Sequence, residues 1–252
     1  MTLYKLYLGI LLFIFGLIVL HAPLIVITGT LFPPLSEIVK SWKEWLMLIA
    51  AIFAVVLVTR RRGWGSLTKD KLFWVIIAYV GLHIVTIAVM WQGITATSAG
   101  MAIDLRYILY FALVYIALQL YPLARPFFVK IGAIGAAIVT GFATMQLFLP
   151  KDILTHIGYG DNTIAPYNTV DRNHDYIRVN STLRGPNPLG AYAAMTLTVL
   201  VSFVISRYKT LKTRLPMFIT ALFIICSVVA LWISYSRSAL LAAFVGVVII
   251  CI

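Results

Sequence analysis

The chain has 252 residues, 62% apolar and only 11% charged, with a formal net charge of +12. A soluble domain is about 45–50% apolar and about 25% charged, so these proportions exclude an ordinary soluble core. The apolar residues fall in long runs separated by short basic loops. That is the pattern of a polytopic membrane protein, and its basic excess points to anionic lipid headgroups and not to nucleic acid.

Eight apolar segments are predicted, giving an all-α fold, a transmembrane helix bundle; a spanning helix needs about 20 residues. The first, 6–28, continues apolar to Phe32 without a small-residue cleavage site, so it reads as a retained helix and not as a signal peptide. The second, 45–59, is short and extends back through Trp42. The third covers 72–91 and the fourth 105–121, opening on Asp104-Leu105-Arg106. The fifth, 127–149, carries Gly132, Gly135, Ala136 and Gly141, a small-residue face suited to helix packing. A hydrophilic stretch, 150–186, follows; it is rich in Asp, Asn, Tyr and Gly and has no helical period. A loop of that length is more often functional or disordered than a plain connector. The sixth and seventh segments are 188–207 and 216–233. The eighth runs from Ser238 to the end with no polar stop, so the chain is expected to break off inside that helix, as the N-terminal part of a longer protein. The whole reads as one transmembrane domain, 1–252, with a single substantial loop.

Loop charge predicts the orientation. With the N-terminus cytoplasmic, the inner loops hold Lys5, Arg60, Arg61, Arg62, Lys69, Lys71, Arg125, Lys130, Arg207, Lys209, Lys212 and Arg214, against one acid, Asp70. The outer loops hold the other 8 basic residues and 7 acids, Glu37, Glu44, Asp104, Asp152, Asp161, Asp171 and Asp175. Every inner loop is basic and every outer loop is mixed, so the positive-inside rule places 150–186 outside. The six tryptophans lie near segment ends, as an aromatic belt requires.

Three helices that run inward are expected to start with an arginine. These are the fourth at Arg106, the sixth after Arg184-Gly185-Pro186-Asn187-Pro188, and the eighth at Ser236-Arg237-Ser238. Helix N-termini present unpaired N–H groups and the positive end of the dipole, so they bind anions. Asn187 is a good N-cap and Pro188 a good first helical residue, and Ser236 is placed to cap the eighth helix likewise. An arginine at a helix end also serves as a snorkelling lipid anchor. Three capped starts on one face favour an anion site, with phosphate or pyrophosphate of a lipid-linked substrate as its ligand.

Other candidates are plainer. His21 and His83 lie within apolar segments and read as interhelical hydrogen-bonding residues. His156 and His174 lie in the outer loop, where a general base is possible but a solvated histidine is commoner. Tyr159, Tyr167 and Tyr176 offer flat faces to a sugar, or pack the loop. Asn180-Ser181-Thr182 matches a glycosylation sequon of the kind expected by chance. Cys226 and Cys251 both fall in apolar runs and give no metal-ligand or disulfide spacing. No zinc motif, phosphate-binding glycine loop or nucleophile elbow is found.

The run from Arg178 to Tyr192, with Ser181-Thr182-Leu183-Arg184-Gly185-Pro186-Asn187-Pro188-Leu189-Gly190 inside it, resembles the Asn-Pro-x-Gly helix start of the O-antigen ligase and O-antigen polymerase superfamily. Ser234-Tyr235-Ser236-Arg237-Ser238, continuing to Leu241, is similar to that superfamily's Ser-Arg motif, and Arg106 is similar to a further arginine often found there. The resemblance covers the layout of most of the chain, and its residue-level support lies in 178–241. It implies a metal-independent membrane glycosyltransferase of the bacterial inner membrane that uses no cofactor. Such an enzyme moves a glycan from an undecaprenyl pyrophosphate carrier to a sugar hydroxyl of a glycan or glycolipid acceptor on the extracytoplasmic face. Arg184 and Arg237 would then be the catalytic pair, with Arg106, Asn187, Ser236 and Ser238 contacting substrate. Gly185, Pro186, Pro188 and Gly190 would shape the helix start. A transporter or flippase-like protein, and a non-catalytic assembly subunit, are the alternatives.

Overall fold

A computed structural model describes residues 2–170, 173–207 and 214–252, without the side chains of 2, 174, 175, 207 and 214–216. Asp171, Lys209 and Lys212 of the loop-charge reading thus lie outside the described residues. The fold is helical: α1 (Thr2–Leu17), α2 (His21–Leu31), α3 (Ser36–Arg60), a short α4 (Trp64–Leu67), α5 (Lys71–Val89), α6 (Ile94–Leu120) and α7 (Arg125–Met145). A hairpin of β1 (Asn168–Val170) and β2 (Asn173–Arg178) precedes α8 (Pro186–Arg207), α9 (Arg214–Ile233) and α10 (Arg237–Cys251).

Among the described residues six helical stretches are long and apolar enough to cross a membrane: Leu3–Leu31, Pro33–Arg60, Lys71–Val89, Ile94–Leu120, Pro122–Met145 and Pro186–Ser206. Met217–Ile233 and Arg237–Cys251 are shorter apolar helices, so the described elements follow the eight predicted segments. Many large apolar side chains are exposed, among them Ile52, Leu82, Phe203, Phe218 and Phe244. A soluble monomer does not tolerate so much exposed apolar surface, whereas lipid does.

Two helices start earlier than their hydropathy suggests. α3 takes in Glu37, Lys40, Lys43 and Glu44, and α6 begins at Ile94. The apolar window missed the first two to three turns of each because their residues are largely polar or small, which is compatible with helix but lowers hydropathy. Arg106 therefore lies about three turns inside α6 and does not start it.

The chain forms two compact units, Met1–Phe15 with Ser41–Lys130, and Gly16–Lys40 with Ile131–Ile252. In the first, Tyr7, Leu11 and Ile14 of α1 pack on Met47, Ala50, Ala54 and Leu57 of α3 and on Leu113 and Ala117 of α6. These positions recur every three or four residues, so each set forms one stripe on its helix. The alanines allow close approach of the helices, and hydrogen bonds fix their register. Tyr7 Oη donates to the Leu113 carbonyl at 2.6 Å, and Tyr110 Oη donates to the Leu11 carbonyl at 2.8 Å. Asp70 caps α5 by accepting from Leu72 N at 2.9 Å. Its other oxygen accepts from Tyr115 Oη at 2.6 Å and Gln119 Nε2 at 3.0 Å, which explains one acid among basic loops. His83 is not interhelical: its Nδ1 lies 3.0 Å from the Tyr79 carbonyl one turn back, and the residue is half-buried.

In the second unit Val19, Val139, Ala143, Val179, Leu189, Ala193, Ala230, Leu231 and Ala239 share one core. The small face of α7 is Gly135 and Ala136, continued by Val139, Thr140 and Ala143, while Gly141 looks onto open space. The stretch after α7 is more ordered than its composition suggests. Leu154 and Tyr159 are buried against Val26, and the β hairpin pairs Asn168 with Arg178 and Thr169 with Ile177 in antiparallel register. Segment 176–179, Tyr-Ile-Arg-Val, has the aromatic and β-branched content that favours a strand.

Candidate functional site

The site is built at the start of α8, the turn between α9 and α10, and the end of β2, all in the second unit. The α8 backbone begins two residues before the predicted first helical position. Leu189 N donates to the Gly185 carbonyl at 3.2 Å, so Gly185 takes the cap position, Pro186 the first and Pro188 the third. Both prolines sit where a helix has no internal acceptor for an N–H, so neither loses a bond. They also remove two of the amides that a helix start normally offers an anion. Positive charge at this end therefore comes from Arg184 and the dipole more than from free N–H groups. Asn187 does not cap: its Oδ1 accepts from Arg178 Nη2 at 2.5 Å.

The segment leading into α8 is held from below. Ser181, with φ of 53°, donates from Oγ to the Val139 carbonyl at 2.6 Å, and its N–H donates to Gln146 Oε1 at 2.9 Å. Asn180 is fully buried, and its Nδ2 donates to the Ala165 carbonyl at 2.7 Å. Its Oδ1 accepts from Asn168 Nδ2 at 3.4 Å. That closes the sequon to modification in the folded protein. Thr182 is buried with no partner for its Oγ1 among the described residues.

The α9–α10 turn is equally constrained. Tyr235 has φ of 47°, a left-handed conformation uncommon for a bulky residue. Ser234 is fully buried; its Oγ donates to the Leu231 carbonyl at 2.7 Å and accepts from Ser236 N at 3.3 Å. Ser236 holds the N-cap position of α10, yet its hydroxyl makes no capping bond and lies 3.3 Å from Ser238 Oγ instead. The expected side-chain cap is absent, so the first amides of α10 are not covered by it and keep their capacity for an anion.

Gly190 brings these two starts together. A Cβ there would stand 2.7 Å from Ser234 Oγ, 2.8 Å from Ser236 Cβ and 2.9 Å from Ala239 Cβ. Only glycine permits that approach, which sets the Asn-Pro helix start against the Ser-Arg turn. Arg184 and Arg237 are both exposed, and neither guanidinium is engaged by another described residue. In the same unit, Gln146, Lys151, Tyr167, Ile177, Val179 and Ile233 help to line a cleft of about 320 Å3, which neither arginine lines. Of the three loop tyrosines, Tyr159 is buried and offers no face, Tyr176 is exposed, and Tyr167 has Lys151 Nζ 5.9 Å from its ring centroid. His156 is exposed, and the His174 side chain lies outside the described residues.

Arg106 belongs to the first unit and is an ion-pair member there. Its Nη1 lies 3.3 Å from Glu44 Oε1, which also meets Lys43 Nζ at 3.1 Å. Glu44 stands 16 residues from the end of α3 and Arg106 stands 14 from the end of α6, about 24 and 21 Å along their axes. The cluster therefore lies well inside both helices, away from their ends. The predicted second segment begins at Trp45, which leaves Glu44 just outside it, whereas α3 takes Glu44 in. Glu44 Oε2 and Arg106 Nε are buried with no partner among the described residues.

Sequence reasoning singled out both motifs but gave Arg178 no role, although its guanidinium reaches each of them. Its Nε donates to the Ser234 carbonyl at 2.9 Å. The only signal was its place at the head of the first motif. Comparison with protein families, with characterised proteins and with solved structures finds no match to this chain.

Proposed function

We propose that this protein is a membrane glycosyltransferase of the O-antigen ligase type, acting at the extracytoplasmic face of the bacterial inner membrane with its N-terminus in the cytoplasm. It takes a glycan from undecaprenyl pyrophosphate and passes it to a sugar hydroxyl of a glycan or glycolipid acceptor. The acceptor oxygen forms the new bond to the anomeric carbon as the bond from that carbon to the pyrophosphate breaks, and the acceptor proton leaves to a base. The observation that carries the reading is the adjacency of two arginine-bearing helix starts, far apart in sequence, across Gly190. Arg184 and Arg237 are the unengaged cations of that pair, suited to the charge that develops on the leaving pyrophosphate. Guanidinium matches phosphate oxygens as a two-pronged donor. Asn187, Ser236 and Ser238 border the same place. Arg106 has a lesser part in this reading, because Glu44 already holds it.

The test is transfer by the purified full chain in liposomes supplied with an undecaprenyl-pyrophosphate glycan and an acceptor. Removing one donor of this kind costs about 100- to 1000-fold in kcat. Transfer by Arg184→Ala and Arg237→Ala at the wild-type rate overturns the site.

A second reading, a transporter, draws on the Lys43–Glu44–Arg106 cluster, since ionisable residues within membrane helices line ion or substrate pathways. Counterflow in proteoliposomes with no glycan product favours it.

A further inference from the structure

We infer that Arg178 is the positioning residue of this site, a clasp that sets Arg184 and Arg237 relative to each other. The inference rests on the glycosyltransferase reading for its catalytic consequence, but its geometry stands apart from it. Arg178 is the last residue of β2, held in register opposite Asn168. Its Nε donates to the Ser234 carbonyl at 2.9 Å and its Nη2 donates to Asn187 Oδ1 at 2.5 Å. One planar group therefore holds both motifs at once. Arg184 lies three residues before Asn187, and Arg237 lies three residues after Ser234.

Both acceptors need this partner. The Ser234 carbonyl follows the last turn of α9, where carbonyls lack helical donors, and a cation there also complements the negative end of the dipole. Asn187 sits in the first turn of α8, where its side chain is free to face away from the helix because Gly185 occupies the cap position. The two bonds leave Arg178 in directions fixed by the guanidinium plane. A lysine ammonium has no such fork and cannot reproduce both.

The surroundings show that the arrangement is held and does not merely occur. Tyr235 keeps a left-handed backbone, and Ser234 is tied on both sides. Gly190 leaves no room for a side chain between the two starts. Without the clasp the contact across Gly190 and the core packing of Leu189 and Ala193 remain, but the hydrogen bonds that tie the first turn of α8 to the α9–α10 turn through Arg178 are lost. Arg178 spends two of its five donors on the two motifs, and it is through them that it positions Arg184 and Arg237.

Two measurements on the purified full chain test this. Nitroxide pairs on Ala191 of α8 and Leu241 of α10, both exposed, report the distance between the helix starts by pulsed electron resonance. Wild type should give one narrow distribution. Arg178→Ala should broaden or shift it, and Arg178→Lys should fall between. An unchanged distribution in Arg178→Ala overturns the clasp. In the transfer assay, Arg178→Ala should lower kcat by about 10- to 100-fold per folded molecule, the range for loss of a hydrogen bond to a charged group. The KM for the donor should change much less, because the arginines that hold it remain. An unaltered kcat, or a loss confined to the yield of folded protein, would mean a merely structural arginine. If Arg178→Ala does not fold, Arg178→Lys and Arg178→Gln carry both measurements with the same criteria. If the wild type transfers no glycan, the glycosyltransferase reading fails, and the distance distributions alone judge the clasp.

Discussion

Replacing Gly190 with alanine should destabilise the protein, whereas the same change at Gly81 should not. The added Cβ at Gly190 would lie 2.7, 2.8 and 2.9 Å from Ser234 Oγ, Ser236 Cβ and Ala239 Cβ. Two of those atoms are fixed to backbone, and Ser234 Oγ is held by its bond to the Leu231 carbonyl, so none swings away freely. Inserting a methyl into such packing costs about 1–3 kcal/mol. Alanine is better than glycine inside a helix by about 0.8–1.0 kcal/mol, which opposes that cost. The net is a loss of up to about 2 kcal/mol, or up to about 8 °C in Tm for a chain of this size. Gly81, within α5, has nothing within 4 Å of its Cβ position, so there only the helix-propensity gain operates. Thermal unfolding of the two variants in one detergent reads opposite signs. Gly190→Val should fall further, since two more methyls enter the same space. A Gly190→Ala protein with a Tm raised like that of Gly81→Ala would refute the close approach of α8 to the α9–α10 turn.

Three further outcomes follow from other contacts. Hydrogen bonds from Tyr115, then from Leu72 N, hold the Asp70 carboxyl below the usual carboxylate range. A lowered folded pKa gives stability that is complete above the unfolded value of about 3.9 and is lost as pH falls through the folded value. The Tm difference between wild type and Asp70→Asn should therefore persist at pH 6 and close as pH drops below about 3.9, and a difference that widens there contradicts the assignment. Tyr7→Phe removes a bond between α1 and α6 and should cost about 0.6–1.7 kcal/mol in denaturant-induced unfolding, the span found for interhelical bonds in membranes. Burial pushes the Tyr159 phenol up to about 12, and its hydroxyl has no partner among the described residues. Tyr159→Phe removes that unsatisfied group and should leave Tm unchanged or higher; a clear fall would mean the hydroxyl is satisfied.

The helices were legible in the sequence because their signals are local. Leu, Ile, Val and Phe in runs of about 20 specify a helix compatible with lipid whatever the neighbours do, and the eight predicted segments correspond to described helices. The boundaries were less so. Polar and small residues opened α3 and α6, so hydropathy placed Glu44 and Arg106 at loop and helix start, whereas both lie inside helices and face each other. The β hairpin was hidden because its strands are short, three and six residues, and only the Tyr-Ile end of the second carries strand-forming side chains.

The helix starts beside Arg184 and at Arg237 were legible in the sequence, since prolines and serines mark them. What those starts do was decided by tertiary structure. Asn187 and Ser236 were placed to cap by local chemistry, yet Asn187 serves Arg178 and Ser236 faces Ser238. Side-chain oxygens go to the best donor in space, and a guanidinium arriving from a strand outcompetes an amide of the same turn. Arg178 itself had no readable role, because its two partners lie 9 and 56 residues away and become neighbours only when α8 packs across Gly190 on the α9–α10 turn.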